Sequence, residues 1–231
     1  MDSFHVSRRQ RELANGHRGA VVWFTGLSGA GKTTLARALE LRLFQAGCQA
    51  VVLDGDCLRQ GLCAGLGFSP QDRSENLRRA GETARLFADA GMIVLAAFIS
   101  PLRTDRERVR AMQADGDFIE AWCMCPLEVC EQRDVKGLYR RARAGKVPQF
   151  TGVSAPYEAP LAPELSLDTA RTPLHACVEQ VLDELRSRGV LAAPGGASSS
   201  NSSSNCRQMR AAWSPSSSSA CQADTDTASK G

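Results

Sequence analysis

No stretch of the 231-residue chain approaches 18 uncharged apolar residues, which excludes a membrane-spanning helix and predicts no membrane partner. The first 20 residues hold no apolar core segment behind their arginines. A secretory signal is therefore not expected, and the expected location is cytoplasmic. Histidine is scarce, with three residues, and no Cys-x-x-Cys pair occurs among the nine cysteines. A structural zinc site needs thiolates or imidazoles at close spacing. A secreted disulfide framework needs a short chain with a signal peptide. The expectation is a set of reduced thiols, with Cys123 and Cys125 on one strand face. Net charge is only +3, which excludes a broad nucleic-acid coat but leaves room for local basic clusters that hold phosphate.

Composition breaks near residue 192. From Ala192 to Gly231, 12 of 40 residues are Ser, and apolar content collapses around an isolated Trp213. Such a segment buries too little apolar surface to offset its ordering entropy, so 192–231 reads as a disordered tail. Residues 1–18 read as an N-terminal leader and 19–191 as one domain. Inside that domain, apolar runs alternate with helical patterns. Ala20 to Phe24, Ala50 to Leu53, Met92 to Ile99 and Phe118 to Met124 read as strands. Helices are expected from Lys32 to Ala46, from about Ser74 to Ala90, from Leu174 to Arg186 and, as an exposed helix, from Arg103 to Met112. Continuously apolar strands alternating with helices predict an α/β fold, a parallel sheet with helices on both faces.

Gly26-Leu27-Ser28-Gly29-Ala30-Gly31-Lys32-Thr33 matches GxxxxGK[ST] in full, after the first strand and at the start of the first long helix. Backbone N–H groups of such a loop curl around phosphate oxygens, and the helix N-terminus adds its positive dipole end. Lys32 is placed to reach the terminal phosphates and the Thr33 hydroxyl to bind Mg²⁺. The motif predicts a nucleoside triphosphate without specifying the reaction. An acid ending another strand would help hold the metal. The third strand instead ends Phe98-Ile99-Ser100-Pro101, and the carboxylates follow strand two, at Asp54-Gly55-Asp56. The guanine-reading Asn-Lys-x-Asp pattern is absent, so a small-molecule kinase is expected rather than a GTPase.

Arg59, Phe68, Arg73, Asn76, Arg78 and Arg79 lie between strands two and three. Arginines there suit an anionic acceptor, though Arg78 and Arg79 read equally well as a solvated helix face. Phe68 reads as core or as a stacking partner for a base. Further on, 133–146 holds six basic residues and one acid, the composition of a basic lid over a transferring phosphate or of a solvated helix.

Together these stretches resemble the adenylylsulfate kinase (APS kinase) family. The resemblance rests on Trp23 to Thr34, Leu53-Asp54-Gly55-Asp56, Gly67-Phe68-Ser69-Pro70 with Asp72-Arg73 and Glu75-Asn76, Phe98 to Pro101, Val129 to Tyr139 and Phe150-Thr151-Gly152. It implies a P-loop kinase fold with a basic lid, ATP as donor with Mg²⁺, and phosphorylation of the 3′-hydroxyl of adenosine 5′-phosphosulfate to 3′-phosphoadenosine 5′-phosphosulfate. It also implies a homodimer and functional coupling to an ATP sulfurylase, which many family members carry fused to them. By position, Gly26, Leu27, Ser28, Gly29, Ala30, Gly31, Lys32, Thr33 and Thr34 hold ATP. Lys32, Asp56, Ser100 and Lys136 are the catalytic candidates, and Thr33 and Asp56 the metal candidates. Asp56, Arg59, Phe68, Arg73, Asn76, Ile99, Ser100, Lys136 and Phe150 contact the acceptor, with Phe68 and Phe150 sandwiching its adenine. Ser100 matches a position described in the family as a phosphoserine intermediate, a relay that in-line transfer does not need. The chain departs from the family at Cys57, where Asn is usual, and in its serine-rich tail. The alternatives are another P-loop small-molecule kinase, or a non-catalytic nucleotide-binding subunit of a sulfurylase complex.

Deletion of 192–231 is expected to leave turnover and Tm nearly unchanged, because the segment has too few apolar residues to dock. A drop of several degrees in a thermal melt would refute this.

Overall fold

The computed structural model describes residues 6–192. The segment expected to be disordered lies outside the described residues, save Ala192. Strand β1 (Ala20–Thr25) is buried along its whole length. Its side chains alternate, with Ala20, Val22 and Phe24 entering one apolar core and Val21 and Trp23 the other. A strand covered on both faces needs this continuous apolar run, which is why the sequence reads as parallel sheet. The five-stranded sheet runs β2 (Ala50–Asp54), β3 (Ile93–Ala97), β1, β4 (Phe118–Met124) and β5 (Leu165–Asp168). Every pairing is parallel, with Val22 opposite both Leu95 and Ile119.

One face is covered by the long helices that supply Leu35, Leu39 and Leu43 from Lys32–Gln45 and Val178, Val181 and Leu185 from Leu174–Ser187. The other is covered by Pro70–Asp89, which buries Leu77, Ala80 and Ala84, and by Arg103–Ala111, which buries Val109. In chain order the helices among the described residues are α1 (Arg8–Asn15), α2 (Lys32–Gln45), α3 (Gly55–Gln60), α4 (Pro70–Asp89), α5 (Arg103–Ala111), α6 (Leu127–Arg133), α7 (Leu138–Arg143) and α8 (Leu174–Ser187). Because β1 sits centrally and its flanking strands leave to opposite sides, the C-terminal ends of β1 and β3 form the crevice where such sheets take ligands.

Three elements differ from the sequence expectation. The leader carries a helix, α1, closed by a Ser7–Gln10 capping box and ended by Gly16. None of its residues is buried, so no apolar stripe marks it. It is held by polar contacts instead: Arg8 binds the buried Asp117 and donates to the Gly19 carbonyl at 2.9 Å, and the Gly19 N–H donates to Glu12 at 2.9 Å. Helix α5 is not wholly exposed, since Asp105, Arg106 and Val109 are buried. The buried Asp105 accepts from Ser74, and the buried Arg106 donates to Glu120, Ser100 and Glu158, which charge density alone does not reveal. Strand β5 was not expected at all; it has four residues and alternates too briefly to register. Cys57, Cys63, Cys123, Cys125, Cys130 and Cys177 are free thiols. No helix among the described residues is long and apolar enough to cross a membrane.

Where α4 and β1 approach, glycine is required for space. A Cβ on Gly19 would lie 2.2 Å from the Ala88 carbonyl oxygen and 3.3 Å from the Gly91 Cα, both backbone atoms that cannot swing away. Gly19→Ala is expected to destabilise by about 1–3 kcal/mol and lower Tm by roughly 2–10 °C. An unchanged calorimetric melt would show that the leader and the end of α4 are free to separate.

Candidate active site

The loop after β1 turns at Gly26, with φ 149°, and passes Gly29, with φ 79°. Side chains are unwelcome at both: a Cβ would stand 2.7 Å from the Cys123 carbonyl oxygen at the first and 3.0 Å from that of Cys130 at the second. The loop is thus pressed against β4 and α6. No side chain caps α2, so the N–H groups of its first turn remain for a ligand.

Each carbonyl from Gly26 to Ala30 accepts a hydrogen bond from a side chain. The Lys32 ammonium donates to Gly26 at 2.9 Å and to Leu27 at 2.7 Å. The Tyr139 hydroxyl donates to Ser28 at 2.9 Å, Arg133 to Gly29 at 3.2 Å and the Thr169 hydroxyl to Ala30 at 2.8 Å. Three helical segments and the turn after β5 therefore fix one loop.

Beside the loop lies a groove of about 950 Å³. Ser28, Gly29, Gly31, Lys32, Thr33 and Thr34 line its donor side. Gly26 and Ala30 are buried behind that wall, and Leu27 lines a separate shallow depression with Gly152 to Tyr157. On the far side stand Arg59, Phe68, Arg73, Asn76, Ile99, Ser100 and Phe150, and Asp56 and Lys136 border it. All the expected acceptor residues thus share one groove. Cys57 is exposed on α3 and does not line it.

Arg73 and Asn76 stand three residues apart on α4, one face of a helix started by Pro70 and capped by Ser69. Arg73 donates to the Gln149 carbonyl at 2.8 Å and to the Thr151 hydroxyl at 3.2 Å. Phe68 is no core residue; it is 65% exposed, with the Arg59 guanidinium 4.4 Å from its ring centroid. Phe150 is buried and meets Tyr139 edge-on at 5.0 Å. The Asn76 amide nitrogen is buried without a hydrogen-bond partner, a donor aimed at nothing the described residues supply. Buried groups of this kind are rare, and a ligand oxygen or an ordered water satisfies such a donor.

The carboxylates divide their work. Asp54 accepts from the Thr33 hydroxyl at 2.6 Å through one oxygen and caps α3 at the Asp56 N–H with the other, at 2.9 Å. Asp56 instead ion-pairs with Lys136, which reaches over from the basic segment. That segment runs from Arg133, the last residue of α6, through a turn ending at Gly137 and into α7. The Ser100 hydroxyl is 2% exposed and already engaged, accepting from the Trp23 indole N–H at 3.1 Å and donating to Thr25 at 3.0 Å.

Sequence reasoning left out Asp54 as the partner of Thr33, the loop-holding Arg133, Tyr139 and Thr169, and the groove-lining Thr172, Leu174 and Cys177. Arg133 had a signal in the basic run. The turn from Thr169 to Leu174 had none, since it holds no glycine and only one charged residue.

The pairing of Thr33 with Asp54 suits Mg²⁺, a hard ion that takes one or two protein oxygens and fills its sphere with water and phosphate. No group of three or more His, Cys, Asp or Glu residues gathers among the described residues, so those residues offer no all-protein metal cage.

A parallel sheet, a glycine loop opening α2 and a facing cationic groove together define a P-loop phosphotransferase. A sequence model of the adenylylsulphate kinase family matches residues 18–168, and the chain belongs to that family. The adenylyl-sulfate kinase of Acaryochloris marina is 55% identical over 80% of this chain and 91% of its own length. That of Staphylococcus epidermidis is 54% identical over 78% and 91%. Among solved structures, the APS kinase of Mycobacterium tuberculosis, in complex with AMPPNP and APS, superposes with a TM-score of 0.71. It is 48% identical over 74% of this chain and 99% of its own. A gluconokinase from Sinorhizobium meliloti, 19% identical over 75% and 94% of the two chains with a TM-score of 0.50, shares the fold alone.

Burial pushes the Lys32 ammonium down from its ordinary 10.5 to about 8, against the pull of Asp54. Only the protonated form attracts phosphate. ATP affinity is therefore expected to be full below about pH 8 and to fall as pH rises past it. The folded protein binds fewer protons than the unfolded one between about pH 8 and 10.5, so Lys32 makes stability rise with pH across that window. A fluorescent-nucleotide titration from about pH 7 to 9.5 checks the binding arm, and a flat profile would contradict it.

Proposed function

We propose that this chain transfers the γ-phosphoryl group of ATP to the 3′-hydroxyl of adenosine 5′-phosphosulfate, releasing ADP and 3′-phosphoadenosine 5′-phosphosulfate. The observation that carries this reading is the acceptor half of the groove. Two arginines and two phenylalanines face the phosphate loop, and between them stands an Asn76 amide with no internal partner. An anionic nucleotide supplies what that half lacks: charge for Arg59 and Arg73, a flat ring for Phe68 and Phe150, and an acceptor for Asn76.

The loop N–H groups and Lys32 hold the triphosphate, and the turn from Thr169 to Leu174 with Cys177 closes the groove beyond them. Thr33 holds Mg²⁺ with Asp54 fixing its hydroxyl, while Asp56 lies toward the acceptor side. When bound, Mg²⁺ neutralises charge on the terminal phosphates. Asp56 orients the 3′-hydroxyl as its oxygen bonds to the γ-phosphorus and the bond to the ADP oxygen breaks. The hydroxyl proton passes to Asp56 or to water. Little bond-making help is needed; the chain holds donor and acceptor in line and spreads positive charge over the moving phosphoryl. The Asp56–Lys136 contact supports the lid reading, since it draws the basic segment across the groove. A buried, doubly engaged Ser100 hydroxyl favours direct transfer over a phosphoserine relay. The family further implies a homodimer, a cytoplasmic location and coupling to the sulfurylase reaction that makes the acceptor.

A coupled assay with ATP and adenosine 5′-phosphosulfate tests the reading. Turnover with a sugar acid or nucleoside but not with this acceptor would overturn it. Asp56→Asn is expected to lower kcat by at least about 10²-fold, the scale on which removing one electrostatic interaction raises a barrier. Asp54→Asn should lower kcat less and mainly raise the Mg²⁺ concentration that gives half-maximal rate. The reverse pattern would exchange the two roles.

A further inference from the structure

Arg106 on α5 is 3% exposed and does not line the groove, yet three of its nitrogens are committed to it indirectly. Nε donates to Glu120 on β4 at 2.6 Å, Nη1 to the Ser100 carbonyl at 2.7 Å and Nη2 to the Glu158 carbonyl at 2.8 Å. Its guanidinium carbon lies 5.9 Å from the Tyr157 ring centroid. Only a planar fork with donors in three directions reaches all three acceptors at once.

One carbonyl belongs to Ser100, which lines the groove, and the other to the end of a segment whose first residues, Phe150 and Thr151, line it. Ser100, three residues past the end of β3, is in a left-handed conformation, φ 38°, unusual for a residue with a side chain. A conformation of this kind persists only when its surroundings over-determine it. Here the hydroxyl is held by Trp23 and Thr25 and the carbonyl by Arg106. Glu158 ends the segment that starts at Phe150 and Thr151, the latter already tied to Arg73. That segment is tied at two further points, one beyond β3 and one at the end of β1. The Glu158 N–H donates to the Pro101 carbonyl at 2.8 Å, and the Tyr157 and Thr25 hydroxyls meet at 3.0 Å.

We propose that Arg106 is a positioning residue for the acceptor: without touching it, the side chain sets the distance between the Ser100 turn and the Phe150–Glu158 segment. Glu120 keeps the buried guanidinium neutralised and aimed. Its own N–H is bound by Glu164 at 2.7 Å, and Arg110 holds that carboxylate in place. The donor side is fixed by other residues, Lys32, Arg133, Tyr139 and Thr169. A fault at Arg106 is therefore felt on one substrate and not on both.

The inference rests on the kinase reading above, and wild-type turnover tests that reading by itself. The test of Arg106 is steady-state kinetics on Arg106→Lys, with each substrate varied in turn and folding checked by a cooperative melt. Lysine keeps the charge but loses two of the three bonds. The acceptor KM is expected to rise by about tenfold, the scale of one lost hydrogen bond from a charged donor, while the ATP KM stays within about twofold. If both KM values rise together, or the acceptor KM does not move, Arg106 is a general structural residue and the proposal fails. If Arg106→Lys does not fold, Tyr157→Phe decides. It keeps the ring and removes only the tie to Thr25, so the acceptor KM should rise about threefold with the ATP KM unmoved. An unchanged acceptor KM in that variant refutes the proposal.

Discussion

The carbonyls from Gly26 to Ala30 set the constraint on which the rest of the site depends. A loop that offers its N–H groups to phosphate must place its own oxygens elsewhere, because a buried carbonyl without a donor is costly. This chain answers with side chains from four directions: Lys32 from α2, Arg133 from α6, Tyr139 from α7 and Thr169 from the turn after β5. The same contacts decide where those segments lie. The basic segment is therefore anchored at its base to the loop, while its outer residues, such as Lys136, stay exposed and reach toward Asp56.

The acceptor half obeys the same rule with different parts. The strand end at Ser100 and the return from Phe150 to Glu158 are irregular backbone, and Arg106 satisfies one carbonyl of each. The Arg106–Glu120 pair is buried, so desolvation offsets much of its attraction and it is weak evidence for stability. Its geometric effect is clearer, since it ties two pieces of chain that lie far apart in sequence. Donor and acceptor halves thus meet at the C-terminal edge of β1 and β3, each locked from behind by side chains that reach its carbonyls.

Charge is spent sparingly. Lys32 sits where burial disfavours its own charge, and a bound polyphosphate restores it. The thiols behind the loop, Cys123 and Cys130, are pushed up to about 12 by burial and remain neutral. The carboxylate that acts on Lys32 is Asp54, and it is engaged by the Thr33 hydroxyl. That arrangement leaves the incoming phosphates as the main anions at Lys32, which is what electrostatic stabilisation of a transferring phosphoryl requires.

By itself the sequence determined the elements whose signal is local. The apolar runs dictated β1 to β4, and Gly26 to Thr33 dictated the phosphate loop, because a tight turn before an uncapped helix needs those residue types in that order. Arg59, Phe68, Arg73 and Asn76, close together in the chain, line one groove. What spans distance was decided only by the tertiary structure. Helix α1 buries no residue and is fixed by Arg8 and Asp117, 109 positions apart. Asp54 rather than Asp56 meets Thr33, because α3 begins immediately after β2 and turns Asp56 toward Lys136. Ser100 reads as a reactive hydroxyl at a strand end, yet Trp23 and Thr25 enclose it. The charges of α5 read as a solvated face, and folding turns Arg106 inward onto two carbonyls. The physical reason is common to all four. A polar side chain's partner is set by which backbone segments the sheet brings together, and no periodicity in the chain records that.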